Sequence, residues 1–210
     1  METFFAIQSR SSIKKFSDAI VARELLEKCL ESATWAPNHR MTEPWQFRVL
    51  AGESRIRLSE AIAEQMSGAS GYVHESSPEE RRELIRERVT YPRRMFGDVR
   101  QSMEIEKIRK KLLSAPVIVC VYSDQGKDAV VSRENLSATA AAVQNFLLCA
   151  HDLGLGAIWR TAEYFEGSHV KSFLNVGDEA SFVAAIYLGY SEQRQVPRRR
   201  TSWEKKTLWV

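Results

Sequence analysis

The sequence predicts a single domain of mixed helix and sheet. Three observations carry this reading. Apolar residues recur at helical spacing in some segments and alternate in others, one run is apolar throughout, and one long segment is apolar on nearly every side. The 210 residues, 44% hydrophobic and 27% charged, are enough for one core and too few for two substantial domains.

Leu25, Leu26, Cys29, Leu30 and Ala33 share one helix face, with Glu24, Glu27, Lys28 and Glu31 opposite, and Pro37 closes the element. From Trp45 to Leu50 the residues alternate as a half-buried strand. Ile56, Leu58, Ala61, Ile62 and Met66 then define a second amphipathic helix. Residues 67–76, rich in Gly and Ser, read as a loop. Ser77, Pro78 and Glu80 follow as cap, first-turn proline and capping-box acid. From there two helices, divided at Pro92, are expected to run to Leu113 outside the main core. Their acids and bases are interleaved, which suits solvated faces better than a nucleic-acid surface.

Ala115 to Tyr122 is a continuous apolar run with β-branched residues, the pattern of a central strand covered on both faces. The Ala-, Val-, Phe- and Leu-rich stretch from Asn135 to Leu153 predicts a buried helix or one packed on a second subunit, ended by Gly154 and Gly156. Ala157 to Arg160 makes a short strand and Phe182 to Tyr190 the last core strand. The tail from Gln193 to Val210 is basic, then apolar. Its Trp203 and Trp209 need something to pack on, and a partner subunit is the candidate.

Composition narrows the function. The excess of 30 Lys and Arg over 27 Asp and Glu, a net +3, does not argue for nucleic acid. Cys29, Cys120 and Cys149 lie far apart with no C-x-x-C pair, so they read as core thiols in a reducing compartment, the cytoplasm. The start, Met1 to Phe5, has no signal pattern, and no apolar run approaches a bilayer span, so no membrane attachment is expected. Dinucleotide-fold, P-loop, hydrolase-elbow and zincin motifs are absent, and His39, His74, His151 and His169 are scattered, which speaks against metal catalysis.

The stretch Ile7-Gln8-Ser9-Arg10-Ser11-Ser12-Ile13-Lys14-Lys15-Phe16 combines cations, hydroxyls and backbone donors suited to a phosphate monoester, although a basic, Ser-rich surface turn has the same composition. A second segment, Ala33 to Phe47, includes Ala36-Pro37-Asn38-His39 and Pro44-Trp45-Gln46-Phe47 and runs from a helix end into a strand. Further on stand Ser114-Ala115-Pro116, Asn135 and Ser137 at the expected start of the long helix, Gly154-Leu155-Gly156-Ala157-Ile158-Trp159-Arg160-Thr161, and Tyr187-Leu188-Gly189-Tyr190. In this order the segments resemble the FMN-dependent nitroreductase family, particularly its short NAD(P)H nitroreductase subgroup. The likeness covers most of the chain and leaves residues 67–113 as a variable helical insertion in one nitroreductase-like domain over residues 1–210.

The resemblance implies an α+β fold of three layers, α/β/α. Its central sheet is mixed and mainly antiparallel, the long helix lies at a homodimer interface, and the C-terminal segment extends onto the partner. It also implies that Arg10, Ser11, Ser12 and Lys14 hold the phosphate and ribityl chain of FMN. Ser11 stands where the family more often has a second arginine. The missing cation is left to Arg198, Arg199 or Arg200, and of these three Arg199 is named as the contact. Trp35 and His39 match positions that reach the partner's flavin, with core packing as the plainer role for Trp35. Trp159, Arg160 and Thr161 match the segment beside the ring system, and a strand-end ion pair is the plainer role for Arg160. The activity implied is ping-pong transfer of electrons from NADH or NADPH through FMN to a nitroaromatic, quinone or related small molecule, with no protein acid, base or nucleophile needed for the central step. Tyr72, Tyr91 and Phe96 of the insertion would shape the acceptor side. A non-catalytic flavin-binding or interaction protein, using the basic helices and the Arg198–Arg200 run, is the competing expectation.

Overall fold

Side chains alternate across a strand, so a strand buried on both sides supplies two different cores. The computed structural model describes residues 2–68, 92–193 and 199–210, and in it this rule organises the molecule. The elements in chain order are α1 (Thr3–Ser9), α2 (Arg23–Thr34), β1 (Trp45–Ala51), α3 (Glu53–Gly68), α4 (Pro92–Leu113), β2 (Val117–Ser123), α5 (Ala129–Asp152), β3 (Gly156–Arg160), α6 (Ser168–Phe173) and β4 (Ser181–Gly189). Short 3₁₀ turns lie at His39–Met41, Glu163–Phe165 and Trp203–Lys206.

The four strands form one sheet in the order β1-β2-β4-β3, every neighbouring pair antiparallel. The apolar run thus takes a central place, with all of β2 buried. Val117, Val119 and Val121 join Ala184, Ile186 and Leu188 on one face, covered by α2 and α5 through Leu26, Cys29, Ala33, Val143, Phe146 and Ala150. Ile118, Cys120, Tyr122, Ala185 and Tyr187 line the other, covered by Leu58 and Ile62 of α3 and Val170 of α6. The result is the α/β/α layering that the resemblance implies. Its parallel component is a bridge between Ser12 and Ala157, and Phe16 and Ser191 form an antiparallel one.

Two expectations need correction. The long helix opens at Ala129, not Asn135, because the Asp128 carboxylate accepts from the backbone N–H of Val130 and Val131, at 2.9 Å each, and satisfies donors left over at a helix start. The helix from Pro92 does not stay outside the core. Leu112 is fully buried with Ile118 and Tyr122, and Ile108 packs beside it. The helix expected from Ser77, together with Tyr72, Tyr91 and the side chain of Phe96, lies outside the described residues.

Candidate functional site

β3 is a sheet edge, paired on one side with β4 alone, so its outer backbone groups need partners. The N-terminal segment supplies one. Ile13 N–H donates to the Ala157 carbonyl at 3.0 Å, and the Ile13 side chain lies fully buried against Gly156. A Cβ at Gly156 would stand 2.9 Å from Ile13, so a glycine is what allows the close approach. With Ile13 turned inward, Ser12 and Lys14 are left exposed, while Ser11 is buried. Lys14 is fixed further through its backbone N–H, which donates to Gln193 Oε1 at 3.0 Å. The bridge therefore brings Arg10–Lys14 alongside the strand that carries Trp159 and Arg160.

Arg10 caps the C-terminus of α1 and is half-buried. Among the described residues its guanidinium makes no ion pair. Burial, and then the charge of Arg200, hold its pKa below the ordinary arginine value. Arg200 of the tail thus approaches Arg10, while exposed Arg199 contributes its carbonyl, which accepts from Arg200 Nη1 at 3.4 Å. Arg198 lies outside the described residues. At the end of α5, His151 Nε2 is 2.8 Å from Ser9 Oγ. Its pKa is lowered first by burial and then by Arg10, against an opposing effect of Asp152. The corner gathers two guanidiniums, an imidazole and the hydroxyl-rich turn, and an anion would relieve the repulsion between its cations. Nothing local in the sequence pointed to His151 or favoured Arg200 over its neighbours.

At the other end of the segment, the Arg160 guanidinium lies over the Tyr187 ring, 5.1 Å from its centroid, and its buried Nε has no hydrogen-bond partner. No strand-end ion pair forms there among the described residues. Trp159 is partly exposed, its indole N–H donating to the Val183 carbonyl at 3.0 Å, and Thr161 is exposed.

Trp35 and His39 occupy a different place. Trp35, just past the end of α2, is 81% exposed, which rules out core packing within the subunit. His39 Nδ1 lies 3.0 Å from Glu134 Oε2, and the loop carries Arg40, Met41 and Glu43 at φ of 56°, 55° and 43°, a left-handed conformation costly for side-chain-bearing residues. Glu134 and His151 share α5, and at about 1.5 Å per residue roughly 25 Å of helix separates them. One subunit therefore keeps Trp35 and His39 apart from the Arg10 corner. A cavity of about 540 Å³ next to this loop is lined by His39, Asn38, Arg133, Glu134 and Ser137, among others. Among the described residues no group of three or more His, Cys, Asp or Glu is arranged for a metal, and no helix is long and apolar enough to cross a membrane.

The sequence model of the Nitroreductase family matches residues 7–190. The Bacillus subtilis protein YfhC, provisionally named an NAD(P)H nitroreductase, is 24% identical over 195 residues, covering 93% of this chain and 87% of its own. A nitroreductase-like family protein from Bacillus cereus superposes with a TM-score of 0.78 at 24% identity, over 100% of this chain and 96% of that one. The FMN-dependent nitroreductase NfnB of Mycobacterium smegmatis, solved in complex with NADPH, superposes with a TM-score of 0.69 at 20% identity, over 99% and 97%.

Proposed function

Because the chain belongs to the nitroreductase family, we propose that it is an FMN-dependent oxidoreductase that uses NAD(P)H to reduce nitroaromatic, quinone or related organic acceptors. One observation supports this most. The Ser12–Ala157 bridge joins two stretches distant in sequence, Arg10–Lys14 and Trp159–Thr161, into one cation-rich strip.

The residues present fit the cofactor. Arg10 is a half-buried cation without an ion pair among the described residues, and the buried Nε of Arg160 lacks a partner, so the strip has unused donors at both ends. Arg10, Ser11, Ser12, Lys14 and Arg200 would hold the FMN phosphate and ribityl chain, with Arg200 a better placed contact than Arg199. Trp159, Arg160 and Thr161 would lie along the ring system, where a cation favours negative charge on the pyrimidine side and so sets the potential. Bound FMN supplies the redox chemistry, taking two electrons from the nicotinamide and releasing them to the acceptor. Trp35 and His39 would come from the second subunit of a homodimer, which overcomes the distance imposed by α5. Donor and acceptor would use one pocket in turn, giving ping-pong kinetics. Its thiols, free of disulfides, suit the cytoplasm.

The test is spectroscopic. Purified protein is expected to carry the yellow FMN spectrum and to bleach with NADH or NADPH, and Arg10→Ala is expected to weaken FMN binding by about tenfold or more through loss of a charge-assisted contact. A folded protein that emerges colourless and refuses added FMN overturns the reading. A yellow protein that neither nicotinamide bleaches points to flavin binding without turnover.

A further inference from the structure

A second cavity, about 620 Å³, opens between the end of α3, one face of α4 and the turn that follows β3. Met66, Ile108 and Tyr164 give it apolar wall, and Lys107 and Lys111 line it from α4. Two lysines four residues apart on a helix repel each other, so their shared orientation toward a cavity costs stability rather than adding it. Arg160 lies close behind. Its guanidinium covers Tyr187, and the hydroxyls of Tyr187 and of Tyr164 on the cavity wall lie near enough to influence each other's ionisation. Burial first, then the charges of Arg160 and Lys107, hold the Lys111 ammonium below its usual pKa, which places Lys111 within the field of both. Glu104 and Glu163 also line the cavity, yet among the described residues neither approaches Lys107, Lys111 or Arg160 within ion-pair distance, whereas Lys110 of the same helix pairs with Glu106.

We propose that this cavity is a subsite for a small organic anion, a carboxylate or phosphate bound by Lys107 and Lys111 with its apolar body against Met66, Ile108 and Tyr164. The cavity begins at Ala162, directly after Thr161, so the proposal rests on the flavin reading in one respect: the anion belongs to a molecule that meets the cofactor at that edge. Two sources share the chemistry, an acceptor bearing a carboxylate and the phosphate of the nicotinamide nucleotide.

Calorimetric titration of the purified holoprotein with benzoate, 2′-AMP and neutral methyl benzoate, at low salt, reads the subsite without turnover. In the double variant Lys107→Gln and Lys111→Gln one of the two anions is expected to bind about tenfold more weakly, a loss in the range of charge-assisted contacts, while methyl benzoate is not. Benzoate as the affected probe assigns the subsite to the acceptor, and 2′-AMP assigns it to the nucleotide. Steady-state assays provide the second arm. The ratio of kcat/KM for 4-nitrobenzoate over its methyl ester falls about tenfold in the first case, and the ratio for NADPH over NADH in the second. Equal effects on charged and neutral ligands, or none, overturn the proposal. If the protein proves free of flavin but lysine-dependent anion binding persists, the subsite stands and the oxidoreductase reading falls.

Discussion

His151 sits between Ser9 and Arg10, with Asp152 next to it, and is easier to keep neutral in the folded protein than in the unfolded chain. The unfolded chain then binds more protons as the pH falls below the free histidine value of about 6.5, so this group contributes stability above that value and loses it as pH drops through the lower folded pKa. Urea unfolding of the flavin-free protein near pH 7.5 and pH 5.5 is expected to show that loss, and His151→Gln to reduce it; parallel behaviour of the two proteins would argue against the effect. At the other end of α5, an ionised Glu134 can only accept, so Nδ1 of His39 carries the hydrogen and Nε2 is left for a ligand. Glu134→Gln is expected to lower kcat/KM by about tenfold, the scale of one charge-assisted hydrogen bond, with the flavin spectrum retained. Loss of FMN instead would make Glu134 a structural support.

Among the elements, those with long periodic patterns were legible in the sequence. The spacing of Leu26, Cys29 and Ala33 marked α2, and the unbroken run through Val121 marked β2. The short helices α1 and α6, of 7 and 6 residues, span too few turns to show a period. The true start of α5 depended on one cap: Asp128→Ala should cost about 1 kcal/mol of stability, read from the urea midpoint, with the helix core unchanged. The N-terminal strap depends on Gly156. An alanine there must push Ile13 aside at a cost of about 1–3 kcal/mol, and because Ile13 N–H is what fastens the strap, FMN retention should fall together with stability. Unchanged retention would detach the strap from the cofactor site.

The whole molecule leaves apolar groups at its surface: Trp35, Phe4, Phe5, and Trp203 and Trp209 of the tail, the last 83% exposed. Exposed apolar groups of this size mark interaction surfaces, and the proposed homodimer would cover them. Light scattering of the purified protein should give twice the 24.0 kDa of the chain. A sharper check mixes two inactive variants. If each site takes Arg10 from one subunit and His39 from the other, random pairing of Arg10→Ala with His39→Ala subunits restores about a quarter of the sites through the two-fold symmetry of the heterodimer. No recovery after subunit exchange would mean that each subunit works alone.

Local pattern in the chain was enough to mark most helices and strands, the buried place of β2 and the cation- and hydroxyl-rich turn at Arg10–Lys14, because periodicity and composition act over neighbouring residues. Packing alone decided which distant groups meet. It brought Arg200 within the field of Arg10, stacked Arg160 on Tyr187 within the field of Lys111, and left His39 a helix length from the Arg10 corner. These are long-range pairings, fixed by which faces of the sheet and helices bury one another. No spacing along a single sequence encodes them.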